Sequence, residues 1–85
     1  MKFLQWDFQG GPDNVVQVEL DHAANVILLD DSNFAAFRRG GRHTYYGGYY
    51  KQTPVRLVPP RETHWHAVVH LGGYAGRVHA SMAVT

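Results

Sequence analysis

Thr63-His64-Trp65-His66-Ala67-Val68-Val69-His70-Leu71 is the stretch on which the fold class turns. Successive side chains of a β-strand point to opposite faces. With that period, Trp65, Ala67, Val69 and Leu71 form an apolar face, while His64, His66, Val68 and His70 form the other. Such a strand belongs to a sheet with one face in the core and one half-wet. Just beyond it, Gly72-Gly73-Tyr74-Ala75-Gly76 turns the chain. Arg77 to Val84 then returns, with Val78, Ala80, Met82 and Val84 inward. The two runs are expected to pair as a hairpin, which would bring Arg77 and His79 to the histidine face opposite His70.

Strand chemistry continues towards the N-terminus. Lys2 to Phe8 alternates, with Leu4, Trp6 and Phe8 on one face, and Gly10-Gly11-Pro12-Asp13-Asn14 is a turn cluster. Val16, Val18 and Leu20 point inward from the next strand, and Asp21-His22 makes a short connection. The unbroken apolar run Val26-Ile27-Leu28-Leu29 predicts a central strand covered on both faces. The period then changes. Asp30-Asp31-Ser32 supplies cap oxygens, Phe34 and Phe37 are spaced i, i+3, and Arg38, Arg39 and Gly40 suit a helix end. This short helix should dock on a sheet edge or across an open barrel end. Arg42 to Lys51 reads as a hairpin, with Gly47-Gly48 as its two-residue loop. Val55 to Val58, between Pro54 and Pro59-Pro60, is expected at a sheet edge.

The expected fold is therefore all-β with one short helix: an antiparallel β-sandwich or flattened barrel of six to eight strands, in a single domain over residues 1–85. A chain of 85 residues has a modest core, and without cysteine no disulfide can staple it. No apolar run approaches a membrane span, and the first residues lack a signal peptide's apolar stretch. A cytoplasmic protein in a reducing compartment is the expectation. The net charge of +1 excludes little, but most acids precede Ser32, while Arg38, Arg39, Arg42, Lys51, Arg56, Arg61 and Arg77 fill the later chain. That hints at one basic surface.

Two constellations carry chemistry. The first is the histidine row. Imidazoles ligate transition metals, and His-x-His on a strand is a genuine ligand spacing. One ion could take His64 and His66, or His70 and His79. It could not take the whole row, because His70 lies roughly 13 Å along the strand from His66. No carboxylate stands in the row, so the plain alternative is a half-wet face of polar aromatics. The second is the segment from Arg38 to Lys51, in which Arg42, His43, Tyr45, Tyr46 and Tyr49 could grip a ligand or nucleic acid. Its plain alternative is that Tyr favours strands and that arginines favour helix ends. No catalytic arrangement stands out. Ser32 suits a cap, Ser81 lies outside any nucleophile elbow, and Asp30-Asp31 suit the helix start. The glycine pairs match no phosphate-binding loop, and no cofactor is implied.

Asn25-Val26 with Asp30 and Asn33, Tyr46-Gly47-Gly48, Thr53-Pro54-Val55-Arg56-Leu57, His64-Trp65-His66-Ala67-Val68-Val69 and Leu71-Gly72-Gly73-Tyr74-Ala75-Gly76-Arg77-Val78 together resemble an uncharacterised bacterial domain-of-unknown-function family of short β proteins. The resemblance spans nearly the whole chain. That family is also found fused to TIR domains, which implies a sensing or targeting module beside an effector. It has no assigned activity, cofactor or catalytic residues, so it supplies none here. An acid commonly stands in the family where this chain has His70, a departure that sets His70 apart from His64 and His66.

The leading expectation is a non-enzymatic recognition module for a small molecule or protein. Its surface would combine the Arg42–Lys51 hairpin, the His64–His66 strand and the Gly72–Gly76 loop. Tyr45, Tyr46, Tyr49 and Tyr50 would give apolar contact, and Arg42, His64 and Arg77 polar anchors. The alternatives are a metal-binding protein or metal-dependent enzyme using His64 and His66 with a ligand from a neighbouring strand, and weak nucleic-acid binding through the basic half. Exposed strand edges leave homodimer formation open.

Overall fold

The β-forming runs separate into two antiparallel sheets in a computed structural model that describes residues 2–74 and 76–85. Among these residues the strands are β1 (Phe3–Gly10), β2 (Val16–Leu20), β3 (Ala24–Asp30), β4 (Tyr46–Tyr50), β5 (Val55–Leu57), β6 (Thr63–His70) and β7 (Ala80–Val84). The one helix is α1 (Asp31–Arg38). A four-stranded sheet runs β1-β6-β3-β4 and faces a three-stranded sheet of order β5-β2-β7. The sheets do not close on each other, so the fold is sandwich-like rather than a barrel.

The alternation in β6 sets both layers. Trp65, Ala67 and Val69 enter the core between the sheets, where Ala24, Val26 and Leu28 of β3 meet Val16 and Val18 of β2 and Val55 of β5. Val68 faces the other way, into a smaller cluster with Ile27, Leu29, Phe34 and Phe37. The apolar run of β3 is thus buried on both faces, as its lack of alternation requires. β5 lies at a sheet edge, beside its prolines.

An isolated helix of eight residues is marginal in water, so α1 depends on packing and caps. Phe34 and Phe37 supply the packing, at about 1.5–3 kcal/mol for each fully buried side chain. Asp30 is the N-cap: its carboxylate accepts the Asn33 N–H at 3.0 Å. At the other end the Gly41 N–H reaches the Ala36 carbonyl at 2.8 Å, and Gly40 takes φ 75°.

Three local expectations are corrected. The helix docks on the outer face of the four-stranded sheet, over β3 and β6, because Ile27, Leu29 and Val68 leave that face apolar. Gly47-Gly48 is not a hairpin loop. Both glycines lie inside β4, opposite Ile27 and Val26 of β3. Gly47 takes φ 123°, and a Cβ there would overlap the Val26 carbonyl, so the pair permits a close strand approach rather than a turn. Finally, β6 and β7 do not form a hairpin. β6 pairs with β1 and β3, whereas β7 pairs with β2 in the opposite sheet. The Gly72–Gly76 segment therefore carries the chain between layers; its Ala75 lies outside the described residues. Among the described residues no helix is long and apolar enough to cross a membrane.

Candidate metal centre

On the outer face of the four-stranded sheet, the register sets Asp7 of β1 opposite His66 and Gln9 opposite His64. On the other side of β6, Leu29 is opposite His66 and Asp30 opposite Trp65. β3 therefore ends level with the His64–His66 pair. Because Asp30 caps α1 at that point, the first helical residue, Asp31, hangs over the two imidazoles.

Each imidazole is then held at both nitrogens. The Asp31 Oδ1 lies 2.6 Å from His64 Nδ1 and 2.8 Å from His66 Nε2. The far nitrogens turn to β1: His64 Nε2 is 2.8 Å from Asp7 Oδ2, and His66 Nδ1 is 3.2 Å from Gln5 Oε1. Phe34 stacks on the His66 ring at 4.0 Å between centroids and 9° between planes, which fixes its orientation. The His66 side chain retains 13 % exposure and Asp31 67 %, so the floor of the site is largely buried while its carboxylate is open to solvent.

The electrostatics follow from this arrangement. Carboxylates only accept hydrogen bonds, so the two contacts of His64 are satisfied together when its imidazole is protonated. Asp7 and then Asp31 accordingly raise its pKa above 6.5. In return, hydrogen bonds from His66 and then His64 hold the Asp31 carboxyl below its ordinary 3.8, and His64 does the same for Asp7.

His64, His66 and Asp31 offer three ligand atoms within 4.8 Å of one another. Around a tetrahedral ion with bonds near 2.0–2.1 Å, ligand atoms sit about 3.3 Å apart. The observed 2.6 and 2.8 Å are hydrogen-bond separations, and an outward shift of the exposed Asp31 carboxylate by less than about 1 Å opens them to that spacing. The far-side partners match what metal-bound histidines need. A ligating imidazole usually gives its other N–H to a carboxylate or carbonyl oxygen, which fixes tautomer and ring angle. Asp7 stands in that position for His64, and Gln5 for His66.

The other anticipated residues do not join this centre. His43 packs edge-on against Phe37 at 5.3 Å, near the C-terminal end of α1, beside Tyr45. Tyr46 lies edge-on to Trp65 at 5.8 Å. Tyr49 is 58 % exposed opposite Asn25 on β4, the outer strand of its sheet. Arg42 is exposed. Arg77 lines a cleft with His70 and His79 near the end of β6. Of the stretches expected as one surface, the Arg42–Lys51 segment and the glycine loop do meet: His43 and Tyr45 share a cavity with His70 and Gly72, whereas His64 and His66 do not line it.

The sequence shows no carboxylate within the histidine row and leaves the further ligand to a neighbouring strand, but it does not single out Asp31, Asp7 or Gln5. The missing acids come from a neighbouring strand and a helix start. Asp7 had a signal: it stands between Trp6 and Phe8, whose inward direction turns it to the face away from the core. A family model described as a domain of unknown function (DUF1883) matches residues 1–85. No curated protein and no solved structure matches the chain.

Proposed function

The chain belongs to that family of unknown function, and from this premise we propose that it is a binding module that holds a divalent transition-metal ion, such as zinc, between His64, His66 and Asp31. The observation that carries the reading is the two-sided grip on each imidazole: one nitrogen faces the common Asp31 oxygen, and the other an acceptor on β1. Two imidazoles and a carboxylate suit borderline divalent ions. Three protein ligands leave a coordination position open to solvent. A donor atom of a small molecule or protein partner would enter there, and this gives the recognition role a chemical form. The reading takes the setting to be bacterial and cytoplasmic, and it would extend to a module fused beside a TIR effector.

The test is elemental analysis of untagged protein, followed by zinc titration of chelator-treated protein by calorimetry and thermal melting. One equivalent of zinc is expected. At a hundredfold excess over Kd, zinc should stabilise by about 2.7 kcal/mol. For a domain of this size that is a rise of about 10–20 °C in Tm. Asp31→Ala should abolish stoichiometric binding, and Asp7→Asn should weaken it by about 10–100-fold. If zinc, nickel and manganese all leave the melting temperature unchanged and bind at less than one equivalent, the cluster is an ion-pair tie between α1 and the sheet, and the metal reading is wrong.

A further inference from the structure

About 20 Å from the His64 end, counted along six residues of β6, lies a cleft of about 900 Å³. Three stretches build it: the start of β1, the end of β6, and the segment that leads across to β7. Its size is that of small-molecule sites. Its composition is one-sided. Leu4, Leu71 and Val78 give it an apolar lining, while Lys2, Arg77, His70 and His79 bring basic groups. Among the described residues that line it there is no acid. On the β7 side, the Asp21 carboxylate is turned to the His79 backbone N–H at 2.7 Å and to the His22 ring at 3.2 Å.

We propose that this cleft binds an amphipathic organic anion, an apolar chain or ring that ends in a carboxylate or phosphate. The apolar body would lie on Leu4 and Val78, and the acidic head would meet Arg77 and Lys2. Arg77 offers a planar fork suited to either head group. His70 adds a neutral donor. Its Nδ1 accepts the Gly72 N–H at 3.0 Å, so its proton sits on Nε2. Charge complementarity carries the choice of ligand: an uncharged apolar guest would leave the basic rim unused, and a cation would oppose it. This site shares no residue with the metal centre, so either proposal can fail alone.

The experiment is an NMR titration of the full chain with nonanoate, octyl phosphate and octan-1-ol, which share an eight-carbon tail and differ in the head group. Saturable shifts are expected at the amides of Leu4, Val69 and Val78 with at least one of the two anions. The alcohol should bind at least about tenfold more weakly, and Arg77→Ala should cost the anion about tenfold, as expected for a charged hydrogen bond. Arg39→Ala, at the helix end, should change nothing. The stronger anion identifies the head group. Equal binding of the alcohol, shifts centred elsewhere, indifference to Arg77→Ala, or no saturable binding would each overturn the proposal.

Discussion

His64 and His70 stand on the same face of the same strand, six positions apart, and have opposite character. His64 lies between two carboxylates, at 2.6 and 2.8 Å, and they raise its pKa above 6.5. His70 tilts against Phe37 at 5.5 Å, and burial, then the nearby His43, pushes its pKa below 6.5. The strand supplies the same group twice. What differs is what crosses it: acids from β1 and α1 at one end, an aromatic ring and further bases at the other. The chemistry of a sheet face is therefore set by the neighbouring elements as much as by its own residues.

The severest way to break this contrast is to remove its common support. Trp65 is fully buried beneath the His64–His66 pair, its indole N–H donates to the Arg61 carbonyl at 3.0 Å, and the Arg61 guanidinium lies over the ring. Trp65→Ala should cost about 3–5 kcal/mol, a large part of the 5–15 kcal/mol total of an ordinary domain. Urea denaturation measures it, and a loss under about 1 kcal/mol would show that β6 is not the frame for both ends. Gly47→Ala should follow at roughly 1–3 kcal/mol, because a side chain at φ 123° is strained and its Cβ meets the Val26 carbonyl. An unchanged urea midpoint would contradict the close approach of β4 to β3.

Asp30→Ala acts at one end only. Loss of the N-cap should cost about 1 kcal/mol, and it should weaken zinc binding because Asp31 is no longer placed by a formed first turn. The Asn33 backbone N–H, above all, holds the Asp30 carboxyl below its ordinary 3.8. A depressed folded-state pKa gives stability that is complete above the unfolded value and lost as pH falls through the folded one. The difference between the native protein and Asp30→Ala should therefore shrink below about pH 4. Equal acid sensitivity of the two proteins would remove Asp30 from the account.

Much of the sandwich was legible. Alternation placed Trp65, Ala67, Val69, Val16 and Val18 inward, the β3 run announced burial on both faces, and Asp30 with Gly40 bracketed the helix. These are local properties, and period and cap chemistry are written within a few residues. Strand pairing is not local. Gly72–Gly76 has the residues of a hairpin turn, yet the chain crosses to the other sheet there, and nothing within five residues separates the two outcomes. Gly47-Gly48 misled in the same way, because glycine serves a tight turn and a close strand approach equally well. The site was half legible for the same reason. His64 and His66 share one strand and announce their spacing, whereas Asp31 and Asp7 reach them only through a helix docked on that face and a strand paired more than fifty residues away.

The finest test reads the two histidines directly. In chelator-treated protein, ring-proton NMR should show His64 titrating above 6.5 and His70 below it. The two then act on stability in opposite directions. The raised pKa of His64 favours the folded state below 6.5, and that contribution disappears as pH rises through its folded-state value. The lowered pKa of His70 favours the folded state above 6.5, and its contribution is lost as pH falls through its own folded-state value. Asp7→Asn should move His64 down, because the Asp7 hydrogen bond is the largest cause of its shift, and should leave His70 where it was. A variant in which both histidines moved together would mean that the two ends share one electrostatic environment. If His64 alone moves, its charge is set by the strand beside it, and the contrast between the ends of β6 is a property of pairing rather than of β6 itself.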